Sequence, residues 1–230
     1  MDSTNNYIAK LAKEGKLDSG TVIMADEQFE GRGRRGTDWS AEAGKNLTMS
    51  LFTKDVNMSV DRQFNLTKIV ALSVHRYLFN QGVDARIKWP NDLLVNDRKI
   101  CGVLIENQIR GMEISESVIG IGLNVNQENF DDLNATSMSL QTNQNYIMHE
   151  LCLSICHQMN ECFQLYTNSP HLLERDYLNA LDGFQEKRKY TVYEDTFVAE
   201  ITRVTENGKL CLKRDNGEKE YSLDEVKRLF

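Results

Sequence analysis

Residues 31–36 read GRGRRG, three arginines threaded through three glycines. Glycine frees the backbone to turn successive N–H groups toward an anion. Guanidinium forks match the oxygens of phosphate or carboxylate. Gly31, Arg32, Gly33, Arg34 and Arg35 are therefore candidates for holding a small anionic ligand. A second group lies in KWPNDLLVNDRK, residues 88–99, where Lys88 and Lys99 flank a bend at Pro90 with Asp92 just beyond it. Two lysines and a carboxylate beside a strand pair suit phosphate carried with Mg²⁺, the lysines neutralising charge and Asp92 facing the metal. In VIGIGLNVN, residues 118–126, Gly120 and Gly122 interrupt a strand, the pattern left where a ligand or another backbone comes close. Asn124 follows at the strand's end, a natural place for a polar contact.

The glycine–arginine stretch fits G-x-G-x-x-G literally, yet a dinucleotide site needs a helix directly after the glycines. Here TDWSAEAGKNLTMSL follows, containing Gly44 and Asn46 and running into a strand. Neither H-R-D nor D-F-G follows, and there is no G-K-[ST], so the kinase loop and the P-loop are excluded as well. A merely exposed basic loop would leave the lysine–aspartate group unexplained. The formal net charge of −7 speaks against a nucleic-acid carrier, whose affinity rests on a broad basic surface. A compact arginine cluster in an acidic chain marks a small phosphorylated ligand instead.

The elements that must position these groups are legible in outline. Ser3 or Thr4 caps a helix with Tyr7, Ile8 and Leu11 on one face. TVIMADEQ reads as a buried strand leading into the arginine loop, and NLTMSLFT turns Leu47, Met49 and Leu51 inward against polar neighbours. Residues 61–79 are helical and end at Gly82, and three strand-like segments follow, with Asn96-Asp97-Arg98 as a tight connection. Residues 145–167 form a long helix, and Pro170 opens another. After Gly183 the pattern changes to alternation with Asn207-Gly208 and Asn216-Gly217 as hairpin turns. We expect a catalytic domain over residues 1–183 and a small β domain over residues 184–230.

His149, Cys152 and Cys156 share a helix face, but that face continues through Met159 and Phe163 as a core stripe does. The 5 cysteines, an odd count without framework spacing, read as reduced thiols. No apolar run approaches the roughly 20 residues of a membrane span, and the N-terminus lacks a signal core, so a soluble cytoplasmic protein is expected.

The set DSTN, Q-x-x-GRGRRG-x-x-W, KWPNDLL, DRKICGVLIE and GIGLNVN, in this order and spacing, resembles the biotin–protein ligases over nearly the whole chain. The resemblance implies an α+β fold: a mixed β-sheet with helices on one side, as in class II synthetases, plus a small C-terminal SH3-like barrel. It implies joining of biotin to ATP as biotinyl-5′-AMP, then transfer to a lysine of a biotin carboxyl carrier protein. Ser3, Thr4, Asn5 and Gln28 would then lie at the biotin ureido end, and Arg32, Gly33 and Arg34 in a loop closing over biotin and the adenylate. Trp39 would pack near the adenine, Asp92 would serve ATP and Mg²⁺, and Asn124 would contact the nucleotide. Lys99 would bridge the biotin carboxylate and the α-phosphate, with Gly31, Arg35, Lys88 and Gly102 completing the substrate contacts. Asp92 is also a candidate acceptor for the proton of the incoming lysine. The expected type is monofunctional, without the DNA-binding winged helix or repressor activity of bifunctional members; relatives that dimerise do so through sheet edges. Two rivals are a lipoate or octanoate ligase of the same fold and a non-catalytic biotin or adenylate sensor. Ligand selectivity and turnover separate them.

Overall fold

The computed structural model describes residues 1–54, 56–223 and 225–229. Helix α1, Thr4–Lys13, is capped by Ser3, whose Oγ accepts from the Asn6 amide at 3.1 Å. It buries Ile8 against Phe52 and Val118, whereas Tyr7 turns out to be exposed. Six strands follow: β1 Val22–Ala25, β2 Leu47–Lys54, β3 Arg86–Lys88, β4 Asp92–Val95, β5 Arg98–Arg110 and β6 Glu113–Leu123. They form one sheet in the order β1-β2-β6-β5-β4-β3. Pairing between these strands is antiparallel, and parallel contacts enter as isolated bridges such as Ile87–Leu181 and Lys99–Ala135. Asn96 and Asp97 both have positive φ, 48° and 62°, the tight two-residue connection expected between β4 and β5.

Helices α2 (Phe64–Asn80), α4 (Met148–Asn168) and α5 (Pro170–Ala180) cover one face of the sheet, and the short α3 (Met138–Thr142) lies between β6 and α4. Leu47, Met49, Ile119, Ile121 and Val103 point into that side, where Met49 meets Cys152. The alternation seen in β2 is real, but its polar members are not solvated: Thr48 and Ser50 are buried as well. The reason is tertiary, because α1 and the arginine loop cover the opposite face. β1, read as a buried strand, is an edge strand with all four residues half-buried. His149 is exposed while Cys152 is buried, so that helix face is core and not a ligand set.

The second sheet holds β7 Arg188–Val192, β8 Asp195–Val204, β9 Leu210–Arg214, β10 Gly217–Tyr221 and β11 Val226–Arg228, in the order β10-β9-β8-β7-β11. It is antiparallel throughout, as an SH3-like domain is, with no pairing of β10 to β11 among the described residues. One hydrophobic cluster runs through both sheets, from Leu47 and Ile69 to Tyr190, Ile201 and Leu212. Two polar ties cross the same junction. The Trp89 indole donates to Gly208 O at 3.0 Å, and Lys68, only 1% exposed, reaches Glu174 at 2.5 Å and Val204 O at 3.3 Å.

The Lys68 ammonium also lies 5.6 Å from the Tyr177 ring and 6.0 Å from the Phe64 ring. Removing one member of a buried pair strands the other charge. Glu174→Gln should therefore destabilise the chain by on the order of 2 kcal/mol, and more than Lys68→Met, which leaves only a carboxylate that water can reach. Urea denaturation midpoints check the order, and the reverse order would mean that Glu174 does not anchor Lys68.

Candidate active site

The sheet face opposite α2, α4 and α5 carries the expected groups in one row. Thr48, Gly122, Gly102, Asp92 and Lys88 are successive cross-strand partners on β2, β6, β5, β4 and β3. A parallel row runs Ser50, Gly120, Leu104. The glycines are there for space. A Cβ on Gly122 would stand 2.4 Å from the Trp39 indole, and one on Gly120 would stand 2.4 Å from Asn5 Oδ1. Above this floor lies a cavity of about 510 Å³, within the usual range for small-molecule sites.

Residues 31–39 form the roof. Trp39 N donates to Gly31 O at 2.9 Å and Gly33 N to Thr37 O at 2.6 Å, closing a narrow hairpin whose tip has Arg35 at φ 57° and Gly36 at φ 74°. A side chain on Gly31 would strike Trp39 O at 2.3 Å, so Gly31 pinches the hairpin and does not line the cavity. The arginines splay to three anchors. Arg32 pairs with Glu106, Arg34 donates to Asn91 at 3.4 Å, and Arg35 donates to Leu223 O at 2.8 Å.

One end of the cavity is rich in acceptors. Gln28 Oε1 accepts from the Thr4 amide at 2.7 Å and from Thr4 Oγ1 at 3.0 Å. Ser50 Oγ lies 2.6 Å from both Thr4 Oγ1 and Asn5 Oδ1, and its single proton can serve only one of them at a time. Thr4 Oγ1 and Asn5 Oδ1 thus face the cavity with lone pairs to spare, an arrangement complementary to a ligand carrying N–H donors. Ser3 lines this end too, with its hydroxyl engaged at the helix cap.

The other end is cationic. Lys99 Nζ lies 2.7 Å from Asp92 Oδ1 and 5.6 Å from the Trp39 ring, directly over Gly102. Burial pushes the Lys88 pKa down against the pull of Asp92, with Lys99 and Arg228 adding to the fall. Burial likewise lowers Arg34, helped by the neighbouring Arg35 charge. An anion bound between them would favour both charged forms. Val226, Lys227 and Arg228 of β11 supply the last wall.

Asn124, like Gly31, is an expected contact that the structure places outside the cavity lining. Its buried amide donates to Lys99 O at 3.3 Å and Thr136 O at 3.0 Å, and it is not among the cavity's lining residues. It braces the backbone of Lys99, which Asn134 O and Thr136 N hold from the other side at 3.0 and 2.9 Å. Sequence reasoning missed Thr48, Ser50, Asn91 and Glu106. The last two lie inside quoted motifs, and Glu106 shares the strand face of Gly102 by simple alternation. Among the described residues no group of three His, Cys, Asp or Glu gathers as a metal site. A lone Asp92 fits Mg²⁺ that arrives on phosphates, since Mg²⁺ needs only one or two carboxylates beside its substrate oxygens and waters.

A glycine floor with an acceptor-rich end and a cationic end suits a small ligand that carries N–H donors at one end and an anion at the other. Residues 1–124 match the model of the Biotin/lipoate A/B protein ligase family, and the chain belongs to that family. The bifunctional ligase/repressor BirA of Escherichia coli is 29% identical over 223 residues, covering 94% of this chain and 68% of that protein. The biotin–[acetyl-CoA-carboxylase] ligase of Paracoccus denitrificans is 37% identical over 127 residues, covering 54% of this chain and 51% of that protein. A biotin protein ligase from Aquifex aeolicus, solved in complex with biotin and ATP, superposes with a TM-score of 0.81 at 24% identity over 99% of this chain and 96% of that one.

Proposed function

We propose that this chain is an ATP-dependent biotin–protein ligase. It joins biotin to ATP as biotinyl-5′-AMP and then biotinylates a lysine of a biotin carboxyl carrier domain. The observation that supports it best is the position of Lys99, at the cationic end of the same glycine floor that carries the acceptor-rich end. Thr4 and Asn5 receive the ureido N–H groups, with Gln28 and Ser50 orienting them. The biotin carboxylate then points along the floor toward Lys99.

For the carboxylate to attack the α-phosphate, two anions must approach one another. Lys99, Lys88 and Arg34 lower that repulsion and stabilise the charge that builds on the phosphate oxygens. Asp92 would hold Mg²⁺ brought by the nucleotide, which would supply further charge neutralisation. Trp39 lies over the floor where the nucleotide base enters. The arginine hairpin shields the mixed anhydride from water until the acceptor lysine arrives. Residues 1–183 carry the catalytic groups, and residues 184–230 close the cavity through β11.

The family also contains lipoate ligases, and the acceptor-rich end argues for biotin. A ureido ring offers two N–H donors to the surplus lone pairs, and a dithiolane offers none. Pyrophosphate release from Mg·ATP, with biotin or lipoate and with or without a carrier domain, is the test. Biotin-dependent release with carrier labelling supports the proposal. Binding of biotin without release would make the chain a sensor, and release with lipoate alone would overturn the substrate. Arg34→Gly, which removes the bond to Asn91, should speed escape of the adenylate by about tenfold and label bystander lysines. Undiminished retention would remove the closing role from the loop.

A further inference from the structure

We propose that Glu106 is the positioning residue that couples the arginine hairpin to the ureido end of the cavity. Glu106 stands on β5 opposite Val118, on the same strand face as Gly102 and Leu104. Its carboxylate takes two bonds from Arg32 Nη2, at 3.0 and 2.8 Å, and one from Asn5 Nδ2 at 2.7 Å. It therefore joins a chain of contacts running Arg32, Glu106, Asn5, Ser50, Thr4, Gln28, from the roof to the far wall.

The Arg32–Glu106 pair is 42% and 41% exposed. Ion pairs that open to water contribute little to stability, so the consequence of Glu106 is orientation. A carboxylate can only accept, so it takes the Nδ2 end of Asn5 and turns Oδ1 toward Ser50 and the space above Gly120. The same carboxylate holds Arg32, and with it one leg of the hairpin. Closing the roof and setting the acceptor at the ureido end are thus one event. A glutamine could keep its oxygen at the Oε2 position and still serve Asn5, whereas a methionine of similar length offers no acceptor and loses the Arg32 and Asn5 bonds together.

The inference relies on the ligase reading for its kinetic arm and on geometry alone for its structural arm. In the structural arm, wild type and Glu106→Met are treated with trypsin without ligand, and cleavage after Arg32, Arg34 and Arg35 is followed by mass spectrometry. Several-fold faster cutting in the variant is expected. In the kinetic arm, KM for biotin should rise by about tenfold while KM for ATP and kcat of adenylation stay within about twofold. Arg32→Gln, which keeps the Asn5 contact, should open the hairpin to cutting after Arg34 and Arg35 with a smaller change in the biotin KM. Unchanged cutting in Glu106→Met overturns the hold on the hairpin. Faster cutting with an unchanged biotin KM overturns the orientation of Asn5. If wild type shows no biotin-dependent turnover, the functional reading fails while the proteolysis arm still decides the latch.

Discussion

Lys99→Met should slow adenylate formation by about a hundred- to a thousandfold, the usual cost of removing one preorganised charge from a transition state. Methionine keeps the length of the side chain and fills the same floor, so the cavity retains its shape. What is lost is the ammonium 2.7 Å from Asp92. Its placement is rigid because Asn134, Thr136 and Asn124 clamp the Lys99 backbone from both sides. Single-turnover release of pyrophosphate with saturating biotin and Mg·ATP reads the effect. Should the methionine variant keep more than about a tenth of the wild-type rate, the bridging role belongs to Lys88 or Arg34, because the loss would be smaller than one oriented charge contributes.

Gly122→Val should weaken ligand binding by about ten- to a hundredfold while leaving the chain folded. The added Cβ would stand 2.4, 2.6 and 2.8 Å from three atoms of the Trp39 indole. Because Trp39 belongs to the roof hairpin, it can move where a core residue could not, and the cost falls on the cavity. The indole is displaced and the floor rises into the space a ligand occupies. Calorimetric titration with biotin and with ATP, alongside thermal denaturation, separates this from simple unfolding. Unchanged affinity would mean that the glycine row serves strand packing and not ligand approach.

Local chemistry made much of this site readable in the sequence. A glycine pair inside a strand has few explanations, and two lysines around an aspartate and a proline bend have few more. Those residues do meet at one cavity. Register was not readable. That Gly102 faces Gly122, and that Asp92 and Lys88 extend the same row, depends on how strands far apart in sequence align.

Asn124 shows the complementary limit. Its position at a strand end was correctly inferred, yet whether its amide faced inward to Lys99 or outward to a ligand depended on residues 134–136. Thr48 and Ser50 looked like the wet side of a strand because nothing local announces the helix and hairpin that cover them. The wall from β11 had no local signature either, since Val226 and Arg228 reach the cavity only through packing of the second sheet.

The tie from the Trp89 indole to Gly208 O spans 119 positions of chain. It fixes the bend that presents Lys88 and Asp92 to a segment that leaves the ribosome much later. At typical elongation rates of about 5–20 residues per second, the glycine floor and the arginine hairpin wait roughly 5 to 40 seconds for their last wall. Biogenesis is thereby ordered: the machinery for making a reactive acyl-adenylate cannot be completed until the second sheet has been translated and docked. A half-made chain would hold most of the chemistry and lack the enclosure that makes it safe.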